Sequence, residues 1–307
     1  MNKFEGMLLA CDMDGTLLDS SRRISERNER ALRYFTEEGG RFSLATGRAP
    51  GAIRSYLPQL PFNAPYSLLN GSLILNEQHQ VMRCAGMPVE TKELIQTTLL
   101  EFSQIGCEIF IGDRILVCQS SEVTEQHMRT LHLDFETVSP SRLPDTADWC
   151  KINFTGDPAL MNQVKAFLKP YQDRFCMASS MPSFWEVTAR GVNKGTALET
   201  IAQNCGIPHD RIFAVGDSYN DEDMIHAAYL GFAPANADDG ILQAADVHVR
   251  CGCRSGRISG SALFMMRFFF RSPQLYKTFL LYNCIYLLFR THLSIWERYQ
   301  RRQFPVD

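Results

Sequence analysis

Three carboxylates follow a short apolar run near the start of the 307-residue sequence. The run MLLAC at 7–11 is typical of a buried β-strand, and it leads directly into Asp12, Asp14 and Asp19. Like charges this close repel each other unless a positive charge lies among them. We interpret Asp19 as a turn or cap residue, so Asp12 and Asp14 remain as the candidates for chemistry.

Polar residues also follow three other predicted strands. Thr46, Asn70 and Asp217 each come just after a short apolar run. In a parallel sheet, ligands bind beyond the carboxyl ends of the strands. Together with Asp12, these residues therefore predict one shared site at the edge of a sheet.

The residue types at this predicted site suit phosphoryl transfer. Four acids lie near the strand ends: Asp12, Asp14, Asp217 and Asp221. Such an oxygen-rich pocket suits a hard cation such as Mg²⁺, which usually binds together with a substrate phosphate. Lys194 and Arg48 add positive charge, and Thr46 adds a hydroxyl. A carboxylate can attack phosphorus directly, and an acid two residues on can protonate the leaving oxygen and later activate water.

The elements that position these residues fall into two separated segments. Strand and helix patterns alternate over residues 1–82 and again over 189–250. Ser25 and Asn193 are predicted helix N-caps, because each precedes an apolar helical pattern. Strands that feed helices predict a parallel sheet with right-handed crossovers. We therefore expect an α/β fold with a Rossmann-like parallel-sheet core built from both segments.

The segment between them, 83–188, has a different pattern. Its strands follow one another without regular helical crossovers, which predicts a separate α+β module inserted into the core. Two helices are expected there, at 91–104 and 158–168. Some side chains on or beside its strands could overhang the site: Lys151, Asn153, Phe184, Trp185 and Glu186. For each of them, packing in the sheet or exposure at the surface is the simpler interpretation.

Five motifs together resemble the haloacid-dehalogenase superfamily and, within it, the Cof-like sugar-phosphatase branch. The motifs are DMDGTLLD at 12–19, TGR at 46–48, NGS at 70–72, NKGTAL at 193–198 and GDSYNDEDM at 216–224. The resemblance covers about residues 5–250. It implies that the 83–188 insert is a cap that decides the substrate.

The resemblance implies a role for each matching residue. Asp12 would be the nucleophile and a Mg²⁺ ligand, and Asp14 would be the general acid/base with its backbone carbonyl on the metal. Asp217 would ligate Mg²⁺, and Asn220 and Asp221 would complete the phosphate and metal surroundings. The residues that would bind the phosphoryl group or face the substrate are Thr46, Gly47, Arg48, Asn70, Gly71 and Lys194.

The function implied is a Mg²⁺-dependent phosphatase that hydrolyses small phosphorylated metabolites, such as sugar phosphates or phosphorylated cofactors, through an aspartyl phosphate. A phosphomutase is an alternative, because it forms the same intermediate but returns the phosphoryl group to sugar. A response-regulator receiver is an alternative from another class, since it also places acids, a Thr, a Lys and Mg²⁺ around a phosphorylated Asp. The acid at Asp14, two residues after Asp12, and the long insert favour an enzyme.

Composition favours a folded protein without a nucleic-acid partner. The sequence is 45% hydrophobic and 21% charged, with a net charge of -3, so no strong field attracts nucleic acid or an anionic membrane. The first residues lack the apolar stretch of a signal peptide, and we expect a cytoplasmic location. The seven His have no partners at metal spacing. Most of the ten Cys are expected to be small buried residues rather than zinc ligands or disulfides.

Residues 251–307 depart from the family pattern, which would end with a short turn and one amphipathic helix. They contain nine Lys or Arg against two acids, with aromatic-rich clusters at 263–270 and 279–289. The second cluster is too short to span a bilayer. Three interpretations stay open: an interfacial amphipathic anchor, a helix pair that dimerises or covers the core, and an altered reading frame.

Overall fold

A computed structural model describes residues 2–144, 146 and 148–249. The strands in this part are β1 (Leu8–Cys11), β2 (Arg41–Leu44), β3 (Tyr66–Leu68), β4 (Leu73–Leu75), β5 (Val81–Cys84), β6 (Gly106–Ile111), β7 (Arg114–Gln119), β8 (Glu136–Thr137), β9 (Lys151–Thr155), β10 (Phe175–Ala178), β11 (Phe184–Ala189), β12 (Ile212–Val215), β13 (Leu230–Pro234) and β14 (Val247–Val249). The helices are α1 (Glu26–Glu37), α2 (Pro50–Ile53), α3 (Thr91–Glu101), α4 (Glu122–Leu131), α5 (Pro158–Leu168), α6 (Lys194–Asn204), α7 (Glu222–Ala227) and α8 (Asp239–Ala244). Among these helices, none has the length and apolar character needed to cross a bilayer. The three interpretations of the tail at 251–307 lie outside the described residues.

Five parallel strands form the central sheet, in the order β14-β13-β12-β1-β2. The predicted parallel sheet is therefore confirmed. All residues of β1 and β12 are buried, which explains their continuous apolar sequence. On one face, Leu8 and Ile212 pack against Leu198 of α6 and Ile225 of α7. We call this sheet and its helices the core.

The two predicted N-caps both begin helices of the core. Ser25 accepts a hydrogen bond from the backbone nitrogen of Asn28 at the start of α1. Asn193 accepts one from the backbone nitrogen of Thr196, and the Thr196 hydroxyl accepts one from the backbone nitrogen of Asn193. This reciprocal capping box fixes the first turn of α6. Lys194 is therefore held at a defined position, as the first residue of that helix.

β3 belongs to a smaller, antiparallel sheet beside the core. It pairs with β4, and β4 pairs with β5. A single parallel bridge between Ala45 and Ser67 connects this hairpin sheet to the end of β2. The turn after β3 contains Asn70 and Gly71, with φ of 57° and 93°, as an Asn-Gly pair favours. Asn70 therefore reaches the same edge as Asp12, although its strand lies outside the parallel ladder.

The insert contains a six-stranded sheet in the order β10-β11-β9-β6-β7-β8, antiparallel except for the β7–β8 pair. Helices α3 and α5 cover one face, where Ile95 and Val164 pack with Ile109 and Phe154. Because side chains alternate along a strand, Glu108 lies on the opposite face, where it contacts α4. We call this module the cap. Helix α4 and strand β8 were not predicted, and the predicted boundary after residue 82 falls within β5.

The seven cysteines of the described part are free thiols. Cys11, Cys107, Cys118 and Cys150 are buried, as predicted for small apolar residues. Cys84, at the end of β5, is exposed. The prediction therefore holds for most of these cysteines but not for all of them.

Candidate active site

Lys194 lies at the centre of the polar residues that the sequence brings to the sheet edge. Its ammonium donates to Oδ1 of Asp12 at 2.6 Å and to Oδ1 of Asp221 at 2.7 Å. All three side chains are buried. Burial lowers the pKa of Lys194, but the charges of Asp12 and Asp221 outweigh it, so the pKa rises above its usual value. Lys194 is therefore a permanent positive charge within the acidic cluster.

Asp217 is held against the turn that carries the first acidic motif. Oγ1 of Thr16 donates to Oδ1 of Asp217 at 2.6 Å. Gly15 has a φ of 83° and lies so close that a Cβ there would overlap the Asp217 carboxylate. The Gly and Thr of the DGT sequence thus allow two distant segments of the chain to approach closely.

Three buried acids converge in a way that fits a divalent cation. Asp12, Asp217 and Asp221 each offer a carboxylate oxygen, and these oxygens all lie within 4.8 Å of one another. When all three carboxylates are ionised, their negative charges exceed the single positive charge of Lys194 by two. Burial, followed by the charge of Asp221, raises the pKa of Asp12 well above its usual value and that of Asp217 to about 7. An oxygen-only donor set with this charge fits Mg²⁺.

Asp14 lies outside this set of three and pairs with Arg48. Nε and Nη2 of Arg48 donate to the two carboxylate oxygens at 2.7 and 2.6 Å, a bidentate arrangement. Nη1 of Arg48 donates to the backbone oxygen of Ala52 at 3.0 Å. The Arg48 side chain is 6% exposed, whereas that of Asp14 is 54% exposed. A buried, anchored guanidinium thus holds a carboxylate that faces open space.

A cavity of about 500 Å³ lies between the core and the cap. Six of the predicted site residues line it: Asp12, Asp14, Thr46, Gly47, Arg48 and Asn220. Oγ1 of Thr46 accepts from the backbone nitrogen of Arg48 at 3.2 Å, which leaves the hydroxyl proton available to a ligand. The structure therefore brings two carboxylates and a hydroxyl group to one cavity.

The remaining predicted residues lie at or behind the junction of core and cap. Nδ2 of Asn70 donates to Oε2 of Glu186 in the cap, and Oδ1 of Asn70 accepts from Asn220 at 3.4 Å. Gly71 lies against Asn193, where a Cβ would overlap the backbone oxygen. Asn70 and Asn220 thus link the two modules, and Gly71 supports the start of α6.

Four of the five cap residues singled out from the sequence line the cavity: Lys151, Asn153, Phe184 and Glu186. Lys151 donates to the backbone oxygen of Gly47 at 2.8 Å and lies 3.3 Å from Glu186. Burial raises the pKa of Glu186, but the Lys151 charge and hydrogen bonds outweigh it, so the pKa is lowered. Trp185 faces the other way, with Lys165 above its ring. Four of the five side chains thus overhang the site while also packing in the cap sheet, and Trp185 does not line the cavity.

His127 of α4 also lines the cavity and was not predicted. Its Nδ1 lies 3.0 Å from both carboxylate oxygens of Glu108. Asn153 donates to the same carboxylate at 2.9 Å, and Glu108 is 0% exposed. An acid within the apolar run GCEIFI was the available signal, because a buried charge needs partners.

Comparison with known proteins relates most of this chain to one group. A family model of haloacid dehalogenase-like hydrolases matches residues 9–256. Phosphatase YwpJ of Bacillus subtilis is 28% identical over 270 residues, which cover 78% of this chain and 93% of that protein. The 5-amino-6-(5-phospho-D-ribitylamino)uracil phosphatase YcsE of Bacillus subtilis is 27% identical over 240 residues, covering 78% and 88%. A crystal structure of a haloacid dehalogenase-like hydrolase from Bacteroides thetaiotaomicron has a TM-score of 0.72 at 26% identity and covers 86% of this chain and 99% of that chain.

Proposed function

This chain belongs to the haloacid dehalogenase-like hydrolase family, and we propose that it is a Mg²⁺-dependent phosphatase of small phosphorylated metabolites. The observation that carries the proposal is the contact of Asp12, which lines the cavity, with the buried Lys194. It places a carboxylate able to attack phosphorus beside an ammonium able to neutralise the phosphoryl oxygens. Asp14, two residues on, supplies the acid that a leaving alcohol requires.

Mg²⁺ would be held by the three converging carboxylates of Asp12, Asp217 and Asp221, with the backbone carbonyl of Asp14 as a further ligand. The support for this set is the separation of the carboxylate oxygens and the two uncompensated negative charges. When bound, the ion supplies positive charge to the phosphoryl oxygens and offsets the repulsion among the acids. The chain's own side chains carry out the remaining chemistry.

In the first half-reaction, a carboxylate oxygen of Asp12 attacks phosphorus, and the bond from phosphorus to the leaving oxygen breaks. Asp14 donates a proton to that oxygen, so the alcohol leaves uncharged. The Lys194 ammonium and the Thr46 hydroxyl stabilise the negative charge of the transferring group. The products are the free alcohol and a phosphorylated Asp12.

In the second half-reaction, water attacks the phosphorus of the aspartyl phosphate. Asp14, now a carboxylate, accepts a proton from that water. The bond between phosphorus and the Asp12 oxygen breaks, which releases inorganic phosphate. Asp12 is again a carboxylate and Asp14 again carries its proton, so the cycle closes.

Arg48 is proposed to position Asp14 during both steps. Its two N–H groups hold both carboxylate oxygens, which fixes the orientation of the Asp14 carboxylate. Gly47, Asn70 and Asn220 would order the surrounding loops against the cap. Gly71 would act indirectly, because it allows the start of α6 to approach the hairpin turn.

The cap is proposed to select the leaving group. A cavity of about 500 Å³ is of the size that small-molecule sites have. Its walls combine the rings of Phe110 and Phe184 with the polar groups of Lys151 and His127. This mixture supports a sugar phosphate or a phosphorylated cofactor as substrate, and the name of the relative YcsE contains a phosphorylated ribityl compound. The free thiols of the described part support the proposed cytoplasmic location.

Hydrolysis of p-nitrophenyl phosphate and of a panel of phosphorylated metabolites by the full chain tests the proposal. We expect phosphate release with Mg²⁺, none after chelation with EDTA, and none from Asp12→Asn. Asp210→Asn, which removes the charge of an exposed acid of the core, is the matched control and should stay active. Conversion of a sugar phosphate to an isomer without phosphate release would favour the phosphomutase instead. Stable phosphorylation without turnover would favour the receiver.

A further inference from the structure

Two cysteines that the proposed chemistry does not use lie in contact at the junction of core and cap. Sγ of Cys84 and Sγ of Cys150 are 3.1 Å apart, although the residues are 66 positions apart in the sequence. Cys84 ends β5 of the hairpin sheet, and Cys150 directly precedes β9 of the cap. A disulfide has an S–S distance of about 2.05 Å. The two sulfurs therefore need to approach by only roughly 1 Å to form one.

Both backbones are fixed by sheet hydrogen bonds, so this approach is a side-chain movement. Cys84 lies opposite Leu73 in the antiparallel register of β4 and β5. The backbone nitrogen of Cys150 donates to the backbone oxygen of Phe110 at 2.7 Å. A movement of the two sulfurs by roughly 1 Å would leave these backbone contacts in place.

The two thiols differ in access, which sets the order in which they react. Cys84 is exposed, and every residue of β5 is exposed with it. Cys150 is buried, and burial, together with the hydrogen bond to Cys84, raises its pKa to about 12. Cys84 is thus the sulfur that a dissolved oxidant can reach, while the buried Cys150 reacts second, with its neighbour. By contrast, Cys107 and Cys118 are both buried inside the cap.

We propose that Cys84 and Cys150 form a redox-active pair, which a peroxide converts into a disulfide that joins the cap to the hairpin sheet. The Cys84 thiolate attacks one oxygen of hydrogen peroxide, the O–O bond breaks, and hydroxide leaves and takes up the proton that Cys84 lost. The Cys150 sulfur then attacks the sulfur of the resulting sulfenic acid, and its proton leaves with the hydroxyl group as water. Two thiols and one peroxide thus give one disulfide and two waters.

A disulfide between Cys84 and Cys150 would restrain the cap directly beside Lys151, which lines the cavity. Cys150 is followed by Lys151, whose ammonium reaches the backbone oxygen of Gly47 in the core. The chain itself passes between the hairpin sheet and the cap after β5 and returns before α6. A disulfide adds a third covalent link, so exchange of substrate and product around a closed cap should slow. This effect on turnover rests on the proposed function, whereas formation of the bond does not.

Peptide mapping of the full chain tests the bond directly. Protein treated with hydrogen peroxide and alkylated is digested with trypsin without reduction, and the relevant peptides are CAGMPVETK (84–92) and LPDTADWCK (143–151). We expect these two to be linked, and dithiothreitol to separate them. Cys84→Ser and Cys150→Ser should each lose the linked species. Cys205→Ser, which removes a half-buried thiol at the end of α6, should keep it. Unlinked peptides, with Cys84 carried to a sulfinic acid or joined to another cysteine, would overturn the proposal.

Two further measurements separate the bond from its effect. Linked protein should have a Tm several degrees above that of reduced protein, because the bond restricts the unfolded chain, and Cys84→Ser should show no such rise. The kcat of linked protein should fall and recover after reduction, while Cys84→Ser should keep its kcat in peroxide. A linked protein that turns over at the reduced rate would overturn the restraint on the cap. Loss of activity in every reduced sample would count against the phosphatase and leave the mapped bond intact.

Discussion

The ammonium of Lys194 and the carboxylate of Asp12, 182 residues apart in the sequence, meet at 2.6 Å at the carboxyl end of β1. The whole cap is inserted between them, yet the contact depends on core elements alone. Asn193 fixes the start of α6, and β1 ends directly before Asp12. One of the positive charges that the acids require is thus built into the fold, and the remainder is left for a metal ion.

Asp12→Asn is expected to lower turnover by roughly 10⁴-fold or more, because the amide cannot serve as the nucleophile. The change also removes one of three buried negative charges. We therefore expect the metal-free variant to be at least as stable as the unchanged protein in urea unfolding. Phosphate release and urea unfolding are measured side by side, with Asp210→Asn as control. Full activity in Asp12→Asn would show that another residue is the nucleophile.

Lys194→Ala is expected to lower kcat by about 10²–10³-fold, because the transferring phosphoryl group loses a positive partner. It also leaves Asp12 and Asp221 buried without their ion pair, which should cost about 3–5 kcal/mol of unfolding free energy without metal. Mg²⁺ should restore part of that loss. Lys169→Ala, at an exposed lysine after α5, is the control. A raised KM with unchanged kcat would assign Lys194 to binding alone.

Mg²⁺ binding is expected to weaken as the pH falls below about 7. Burial and the Asp221 charge raise the pKa of Asp217 to about 7, so protons compete with the metal there. Since the folded state holds this proton more tightly than the unfolded state, the metal-free protein loses stability as the pH rises from about 4 through 7. Added Mg²⁺ should offset that loss, so the rise in Tm on adding Mg²⁺ should be larger at about pH 8 than at about pH 5.5. An equal rise at both would contradict the assignment.

Arg48→Lys is expected to lower kcat by roughly 10-fold with little change in KM, because an ammonium cannot hold both oxygens of Asp14. Arg114→Lys is the matched control. Arg114 makes the same bidentate contact on the surface of the cap, where its Nε and Nη2 each lie 2.6 Å from a carboxylate oxygen of Glu136. Steady-state kinetics over a range of substrate concentrations separates the two constants. A large rise in KM would mean that Arg48 contacts the substrate rather than positioning Asp14.

Features that depend on near neighbours in the sequence were predictable. Ser25 and Asn193 were recognised as caps, because a cap is decided within four residues of the helix start. Asp19 was interpreted as a turn residue, and its carboxylate accepts from the backbone nitrogens of Ser21 and Arg23. The parallel sheet was predicted from the alternation of strands and helices along the chain.

Features that depend on how two modules pack were not predictable from the sequence. Asp14 and Arg48 were both assigned to the site, but their pairing depends on side-chain directions 34 residues apart. The same is true of Asn70 and Glu186, which are 116 residues apart. Helix α4 was not predicted from the sequence, since its buried residues are only Thr124 and Met128. Much of its surface faces the cavity instead of packing on the cap sheet.

The contacts between cap and core determine how the substrate preference of such a protein could be changed by exchanging the cap. On the cap side, Lys151 and Glu186 meet the core at a backbone oxygen of Gly47 and at the amide of Asn70. A foreign module grafted between β5 and Asn193 therefore has to reproduce one cation and one acid to dock on this scaffold. Chimaeras built on that rule would replace the whole recognition module in one step and leave the reactive residues of the core unchanged.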